Sequence, residues 1–304
     1  MKSTPKFKKS FDARHGEAVE VARNVVRVTC NNMGPFTYTG TNSYIIGAKT
    51  LGVIDPGPAD DAHFEALLTA IAGRKVSHIF VTHTHMDHSP LAKKLQTKTG
   101  AIIVGAAPHF SARQLHLGEV NALDASADRS YVPETILRHG DIVEGDDWAI
   151  ETIETPGHTA NHLAFCLLNT GAVFTGDHIM AWATTIVAPP DGSMRAYMAS
   201  LDTMLGRDDK LYLPGHGGDL KNPKSFVRGL KAHRKMRERA IIERLEKGDR
   251  TIAQMVAEIY RDTDPRLHGA AGLSVYAHIE DLYEANRVRC EAAPSLTCDY
   301  WLAE

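Results

Sequence analysis

The first informative features of this 304-residue sequence are the things it has little of. No apolar run approaches the roughly 18 residues that a membrane-crossing helix needs, which argues against an integral membrane protein. Cysteine occurs four times, at Cys30, Cys166, Cys290 and Cys298, with no C-x-x-C pair. That spacing gives no disulfide framework, so free thiols and a reducing, cytoplasmic setting are expected, with a Cys290–Cys298 bridge as the lesser alternative. Excess charge is small as well: 34 Lys and Arg against 37 Asp and Glu leave a net charge of −3. Such a balance exerts no general pull toward nucleic acid or an anionic membrane. Lys2, Lys6, Lys8 and Lys9 crowd the N-terminus, but no apolar segment follows them. The stretch reads as a basic disordered tail rather than a secretory signal. Repeats of solenoid type and low-complexity blocks are lacking too. What the chain does have is 43% hydrophobic residues, enough for a substantial core, and an unusual 16 histidines.

Short apolar runs at residues 25–28, 43–46 and 51–55 read as strands separated by turn residues. A helix is predicted over 60–72, with Phe64, Leu67, Leu68 and Ile71 on one face and Gly73 as its stop. The strand 78–81 runs into His83. Ser89 followed by Pro90 looks like a helix start, a capping oxygen before a residue with preset φ, and that helix ends at Gly100. A strand follows at 101–104. Residues 106–140 read as a loop-rich insertion with one helix. Strands at 149–154, 163–168 and 172–174, a helix at 193–205 and a strand at 211–213 complete this part. Strands alternating with helices imply sheets covered by helices. Beyond about residue 222 the pattern turns to helices only, at 224–247, 252–260 and 275–286. Two domains are expected, 1–222 and 223–304.

The densest chemistry lies in Thr82-His83-Thr84-His85-Met86-Asp87-His88. Imidazole and carboxylate are the N and O ligands that zinc takes. Alternate residues of an extended segment point the same way, so His83 and His85 can converge on one metal. A turn then presents Asp87 and His88 to the other side. Three further ligand-type residues each follow a strand beside a glycine: His158 after Gly157, Asp177 after Gly176, and His216 after Gly215. Glycine lets the backbone turn sharply there. Each alone is a weak signal; their order is the strong one.

H-x-H-x-D-H, then a lone His, an Asp and a His, resembles the metallo-β-lactamase superfamily. Two other features resemble its lactamase-beta-two and glyoxalase II-like members: the segment Gly34-Pro35-Phe36-Thr37-Tyr38-Thr39-Gly40-Thr41-Asn42-Ser43-Tyr44, and the helical tail. The resemblance implies an αββα sandwich with a small helical, winged-helix-like C-terminal domain. It implies that His83, His85 and His158 hold one metal, that Asp87, His88 and His216 hold a second, and that Asp177 bridges them. Two zinc ions are the expected cofactors, with iron and manganese open. The implied activity is a dinuclear hydrolase in which a bridging hydroxide, oriented by Asp87 as a catalytic residue, cleaves an ester-type bond in a thioester, phosphodiester or lactam. Histidine at His85, where diiron electron-transfer relatives carry Glu, favours a hydrolase over a redox enzyme. A mononuclear iron persulfide dioxygenase shares the string and stays an alternative.

Asp55, before Pro56-Gly57-Pro58, is expected to support the ligand loops. His162 is either an orienting or substrate-contacting group or a structural histidine. His178, beside Asp177, points the opposite way in an extended segment unless it lines the site. Thr184 and Thr185 occupy a loop that rims the site in the family, and Trp182 beside them lines a pocket or packs as core. Between Arg228 and Arg250 there are nine Lys and Arg against four Asp and Glu. This is either a solvated helix face or a surface for a phosphate backbone, the latter making the protein an RNA-binding endoribonuclease. The short link after His216 should keep the tail near the metal mouth as one wall of a cleft. A small-molecule ester, thioester or lactam is the leading substrate class; RNA and a homodimer are the other partners considered.

Overall fold

The computed structural model describes residues 5–117 and 119–304. Lys2 of the predicted basic tail lies outside them. Period-2 patterning drives the architecture: in β3 and its neighbours alternate apolar residues face opposite ways, and each face finds its own layer. One sheet has seven strands in the order β1 (Ala18–Ala22), β2 (Val25–Thr29), β3 (Asn42–Ile46), β4 (Leu51–Ile54), β5 (Val76–Val81), β6 (Ile102–Gly105) and β7 (Thr135–Ile136). The other has six: β8 (Ile142–Glu144), β9 (Ala149–Glu154), β10 (Leu163–Leu167), β11 (Ala172–Gly176), β12 (Leu211–Pro214) and β13 (Leu220–Lys221). Tyr44, Phe80 and Val104 from the first sheet meet Phe165, Phe174 and Leu213 from the second in the central layer. On the first sheet's outer face Ile45, Val53 and Ile79 pack against α1 (Asp61–Ile71) and α2 (Leu91–Thr99). On the second sheet's outer face Ile153, Val173 and Tyr212 pack against α3 (Met194–Gly206) and the start of α4 (Lys224–Glu246). This is the αββα sandwich that the resemblance implied.

The tail adds α5 (Ile252–Ile259) and α6 (His268–Glu284), with their own core around Met255, Val275 and Ile279. It is not helices only. β14 (Val288–Arg289) and β15 (Trp301–Leu302) form a two-stranded ribbon, too short to leave a periodic signal. α6 begins at His268 rather than near 275. Gly269 and Gly272 weaken the sequence signal there, but a side chain at Gly272 would meet Ile252 of α5 at 3.8 Å. Val227 and Leu230 of α4 lie in the sandwich's outer core and Ile241 and Leu245 in the tail's, so this one helix joins both.

Three other local expectations are corrected. Ser89 is not a helix cap: Pro90 holds the cap position, and the Ser89 hydroxyl donates to buried Asp128 instead, at 2.7 Å. The insertion at 106–140 contains no α-helix among the described residues, only a 3-10 turn at Asp124–Ser126 and strand β7. The described part of the basic N-terminus lies on the protein. Phe7 packs edge-on against Phe226 with centroids 5.9 Å apart, and the Lys8 N–H donates to the Ala181 carbonyl at 2.9 Å. All four cysteines are free thiols, and among the described residues no helix is long and apolar enough to cross a membrane.

Candidate metal centre

β4 and β5 are parallel, and in the second sheet β9, β11 and β12 share one direction. The loops leaving these strands' C-terminal ends carry the ligand-type residues to one place. His83 Nε2 lies 3.2 Å from His85 Nδ1, which lies 3.0 Å from His158 Nε2. Donors about 2.0–2.1 Å from a tetrahedral metal are separated by roughly 3.3 Å, so these two edges have the length of a zinc face, and all three atoms lie within 4.8 Å of one another. Beside it, Asp87 Oδ2 is 3.5 Å from His88 Nε2 and 3.1 Å from His216 Nε2. Asp177 lies between: Oδ1 faces His88 Nε2 at 3.6 Å and His216 Nε2 at 3.3 Å, while Oδ2 faces His158 Nε2 at 3.6 Å. Gly215 is needed for this closeness, because a Cβ there would come within 2.7 Å of both Asp177 Oδ1 and His88.

The outer ring nitrogens have fixed partners. Asp55 accepts from His88 Nδ1 at 2.9 Å and from the Thr82 N–H and hydroxyl at 2.8 Å each. The Thr82 hydroxyl in turn accepts from His83 Nδ1 at 3.0 Å. One carboxylate thereby orients an imidazole in each half of the cluster. His158 Nδ1 donates to the Ile186 carbonyl at 2.6 Å, and His216 Nδ1 to the Gly40 carbonyl at 3.2 Å. Those bonds leave the inward nitrogens free as donors to a metal. Buried His88 Nε2 and Asp177 Oδ1 have no hydrogen-bond partner among the described residues. Such atoms call for a cation.

The electrostatics match. Burial holds His83 well below its ordinary pKa and His85 down to about 3, so these imidazoles stay neutral. At His88 burial pulls the same way, but Asp87, Asp177 and Asp55 outweigh it and raise the ring to about 9. Burial works against ionised Asp87 and Asp177, yet His88 and His216 hold both carboxyls well below the usual range. The uncharged half and the ionised half together make a donor set with anionic charge where the cations would sit.

Residues 37–216 match the family model of the metallo-beta-lactamase superfamily, and residues 251–299 that of the beta-lactamase associated winged helix domain. The chain belongs to the metallo-beta-lactamase superfamily. It is a metal-dependent hydrolase of that superfamily, with a His/Asp cluster suited to divalent metal. It is 25% identical over 277 residues to a beta-lactamase-like protein 2 homolog of Drosophila melanogaster, covering 88% of this chain and 90% of that one. It is 24% identical over 261 residues to an atrochrysone carboxyl ACP thioesterase of a Cryptosporiopsis species, covering 80% of this chain and 74% of that one. A beta-lactamase domain protein from Burkholderia ambifaria superimposes with a TM-score of 0.78 at 21% identity, over 95% and 94% of the two chains.

Around this metallo-beta-lactamase centre the remaining candidates separate. His162 does not reach the mouth: it is buried, bonds Thr155 Oγ1 at 2.8 Å, and accepts from the Asp177 N–H at 3.1 Å. It braces the bridging-type Asp from behind. His178 does not line the site either; its ring packs against Tyr197, centroids 5.0 Å apart. Thr185 is buried, with Oγ1 3.4 Å from His158 Nδ1, and both it and Thr184 line a cavity between sandwich and tail. Trp182 lines that cavity too and stacks on Tyr38 at 4.7 Å. The G-P-x-T-x-x-G-T-N segment clamps the His216 loop, since Asn42 Nδ2 donates to the Pro214 and Gly217 carbonyls at 3.0 and 2.9 Å. The bases of the helix do not all face one way. Lys235 pairs with Glu238 at 2.7 Å and Lys231 with Asp202, while Arg234 turns inward and is buried. Sequence reasoning missed Thr82, although it sits inside the histidine string. It also missed the Gly40 and Ile186 carbonyls, which carry no side-chain signal.

Proposed function

We propose that this chain is a dinuclear zinc thioesterase. His83, His85 and His158 would hold one ion, Asp87, His88 and His216 the other, and Asp177 both. When bound, such a pair polarises a carbonyl oxygen and lowers the pKa of water from 15.7 to about 7. The observation that carries the choice of bond is the lining of the mouth. Apart from the donor residues, it is formed by Phe36, Thr37, Met86, Leu123, Ala125, Ser126 and Ile186. Among these described residues there is no Lys, Arg or spare His. Nothing there would protonate an amine or alkoxide leaving group, and nothing would grip a phosphodiester. A thiolate needs no such help, because thiols ionise near pH 8.5.

Asp87 is the most exposed of the metal-facing side chains. It stays ionised at neutral pH and so acts as an acceptor that orients the attacking water. The C–O bond forms as the attacking water gives up its protons to solvent, the C–S bond breaks, and sulfur leaves as a thiolate that takes one proton back from solvent. The carboxylate product carries the oxygen of the water. The thioesterase-named relative supports this reading, as do the three-residue donor groups of the cluster, which leave room for water and substrate. The test is a panel of thioester, phosphodiester and lactam substrates on protein whose metal content is measured. Thioester turnover should lead, at two zinc ions per chain. Full activity with one tightly held metal, or phosphodiester or lactam cleavage outpacing every thioester, would overturn the proposal.

A further inference from the structure

The cavity between sandwich and tail, of about 250 Å³, adjoins the metal mouth, with Phe36 and Ile186 lining both. Its walls are largely apolar, including Pro35, Trp182, Leu267 and Ala270, yet Lys9, His233 and Arg234 also line it. No carboxylate is among its described lining residues. Arg234 is only 3% exposed and pairs with no acid among the described residues. An arginine is rarely buried unless paired. One arm of its fork donates to the Thr185 carbonyl, the Tyr197 ring lies 5.2 Å below the guanidinium, and the buried Nε has no partner. One turn further along α4, Arg237 lies over Tyr260 at 4.5 Å and donates to the Ile259 carbonyl, and it too has an unpartnered Nε and no acid among the described residues. Other bases of the helix do have acids: Lys231 has Asp202, and Arg244 has Asp249. Arg228 and Arg239, which also lack an acid among the described residues, are exposed to water, so Arg234 is the buried unpaired charge, and a ligand's negative charge would complete it.

We infer that this cavity binds the acyl part of the substrate, and that Arg234, with Lys9 and His233, receives a carboxylate at the far end of an apolar acyl group. The inference rests on the thioesterase reading above. The placement suits it: Thr185 gives its carbonyl to Arg234, and the next residue, Ile186, gives its carbonyl to His158. The anion site and the metal-facing histidine are therefore held by consecutive residues of one loop. Apolar walls suit an acyl chain or ring, and a planar guanidinium suits a planar carboxylate.

The test uses the zinc-loaded full chain and N-acetylcysteamine thioesters of succinic, adipic and suberic acid, each beside its monomethyl ester. For at least one length, kcat/KM should favour the free acid over its methyl ester by about 10- to 100-fold, the range expected of a charge-assisted hydrogen bond. Arg234→Met should collapse that ratio toward one, and Arg234→Lys should restore part of it. Because Arg234 also holds the Thr185 loop, the ratio is the readout rather than the rate. Should Arg234→Met fail to fold, Lys9→Met at an exposed position must lower the same ratio. A wild-type ratio under about twofold at every length, or a ratio unmoved by these variants, overturns the inference. So does an Arg234→Met penalty that falls on coenzyme A thioesters but spares N-acetylcysteamine thioesters of the same neutral acyl group, which would assign the cations to the carrier's phosphate. If no thioester is cleaved at all, the thioesterase reading has failed, and calorimetric binding of suberate decides the cavity alone: it should bind wild type and bind Arg234→Met at least tenfold more weakly, and equal binding overturns the inference.

Discussion

Asp55 shows how much of a metal centre is decided by a residue that never faces the metal. Its carboxylate accepts three hydrogen bonds, from the Thr82 N–H, the Thr82 hydroxyl and His88 Nδ1. Through Thr82 it also reaches His83. Its own φ of +48° is a left-handed conformation, which Asp and Asn tolerate better than most residues. Asp55→Asn therefore keeps the backbone but replaces a charged acceptor serving both half-sites. The expected outcome is a folded protein whose metal affinity falls about 10- to 100-fold, at both half-sites if the proposed pair of ions is bound. Competition against a chelator of known affinity measures it; selective loss of one ion would show that the Thr82 relay to His83 does not matter. The ligand-type residues were legible because four of them sit in one string after an apolar strand, and the others follow strands beside glycines. Their orienting partners were not. The Ile186 and Gly40 carbonyls are backbone atoms, and only the folded chain brings them to His158 and His216. Arg234 is a further case: in sequence it is one of nine bases in a helix, and only burial distinguishes it from Lys235.

At the scale of elements, the close joints matter most. Gly157 precedes His158 with φ +144°, and a Cβ there would lie 2.4–2.6 Å from Tyr197 backbone and Cβ atoms in the first turns of α3. The loop must touch the helix for His158 to reach the cluster. Gly157→Ala combines a backbone strain with overpacking against a helix that cannot yield as a flexible side chain would. About 2–4 kcal/mol of stability should be lost, with weaker metal retention, measurable by denaturant unfolding and elemental analysis. An unchanged unfolding midpoint would mean that α3 can shift at little cost. Long periodic elements such as α1, α2 and α3 were readable to within a residue or two, since burial of one face is what makes them helices. Short edge elements were not. β1 is a partly exposed edge strand and β13, β14 and β15 have two residues each, so their pairing comes from the chain beside them rather than from their own pattern. The glycines of α6 hid its first turns for the related reason that packing against α5, not propensity, accepts them.

The whole molecule is two cores joined through α4 and α6, and the joint holds buried polar groups. His278 of α6 is 2% exposed, neither ring nitrogen has a hydrogen-bond partner among the described residues, and the charged groups facing it are Arg234, Lys235, His233 and Arg237 of α4. Burial first, then those cations, push its pKa down to about 3. The sign follows from which state takes up the proton. The unfolded chain protonates this histidine near pH 6.5, while the folded chain resists until about pH 3. Between those values the unfolded state binds more protons, so the full stability is present above about pH 6.5 and is lost as the pH falls. The slope is at most about 1.4 kcal/mol per pH unit for one such group. Acid also protonates the metal-facing histidines, so wild type alone cannot isolate the effect, but a comparison can. His278→Leu removes the titrating ring and leaves the cluster untouched. In denaturant unfolding at pH 7, 6 and 5, the variant's stability relative to wild type should rise by about 1–2 kcal/mol across the series. A difference that stays constant with pH would mean that His278 takes up its proton as readily in the folded protein as in the unfolded one. The joint between the cores would then hold water beside α6, and burial would not be what keeps this histidine neutral.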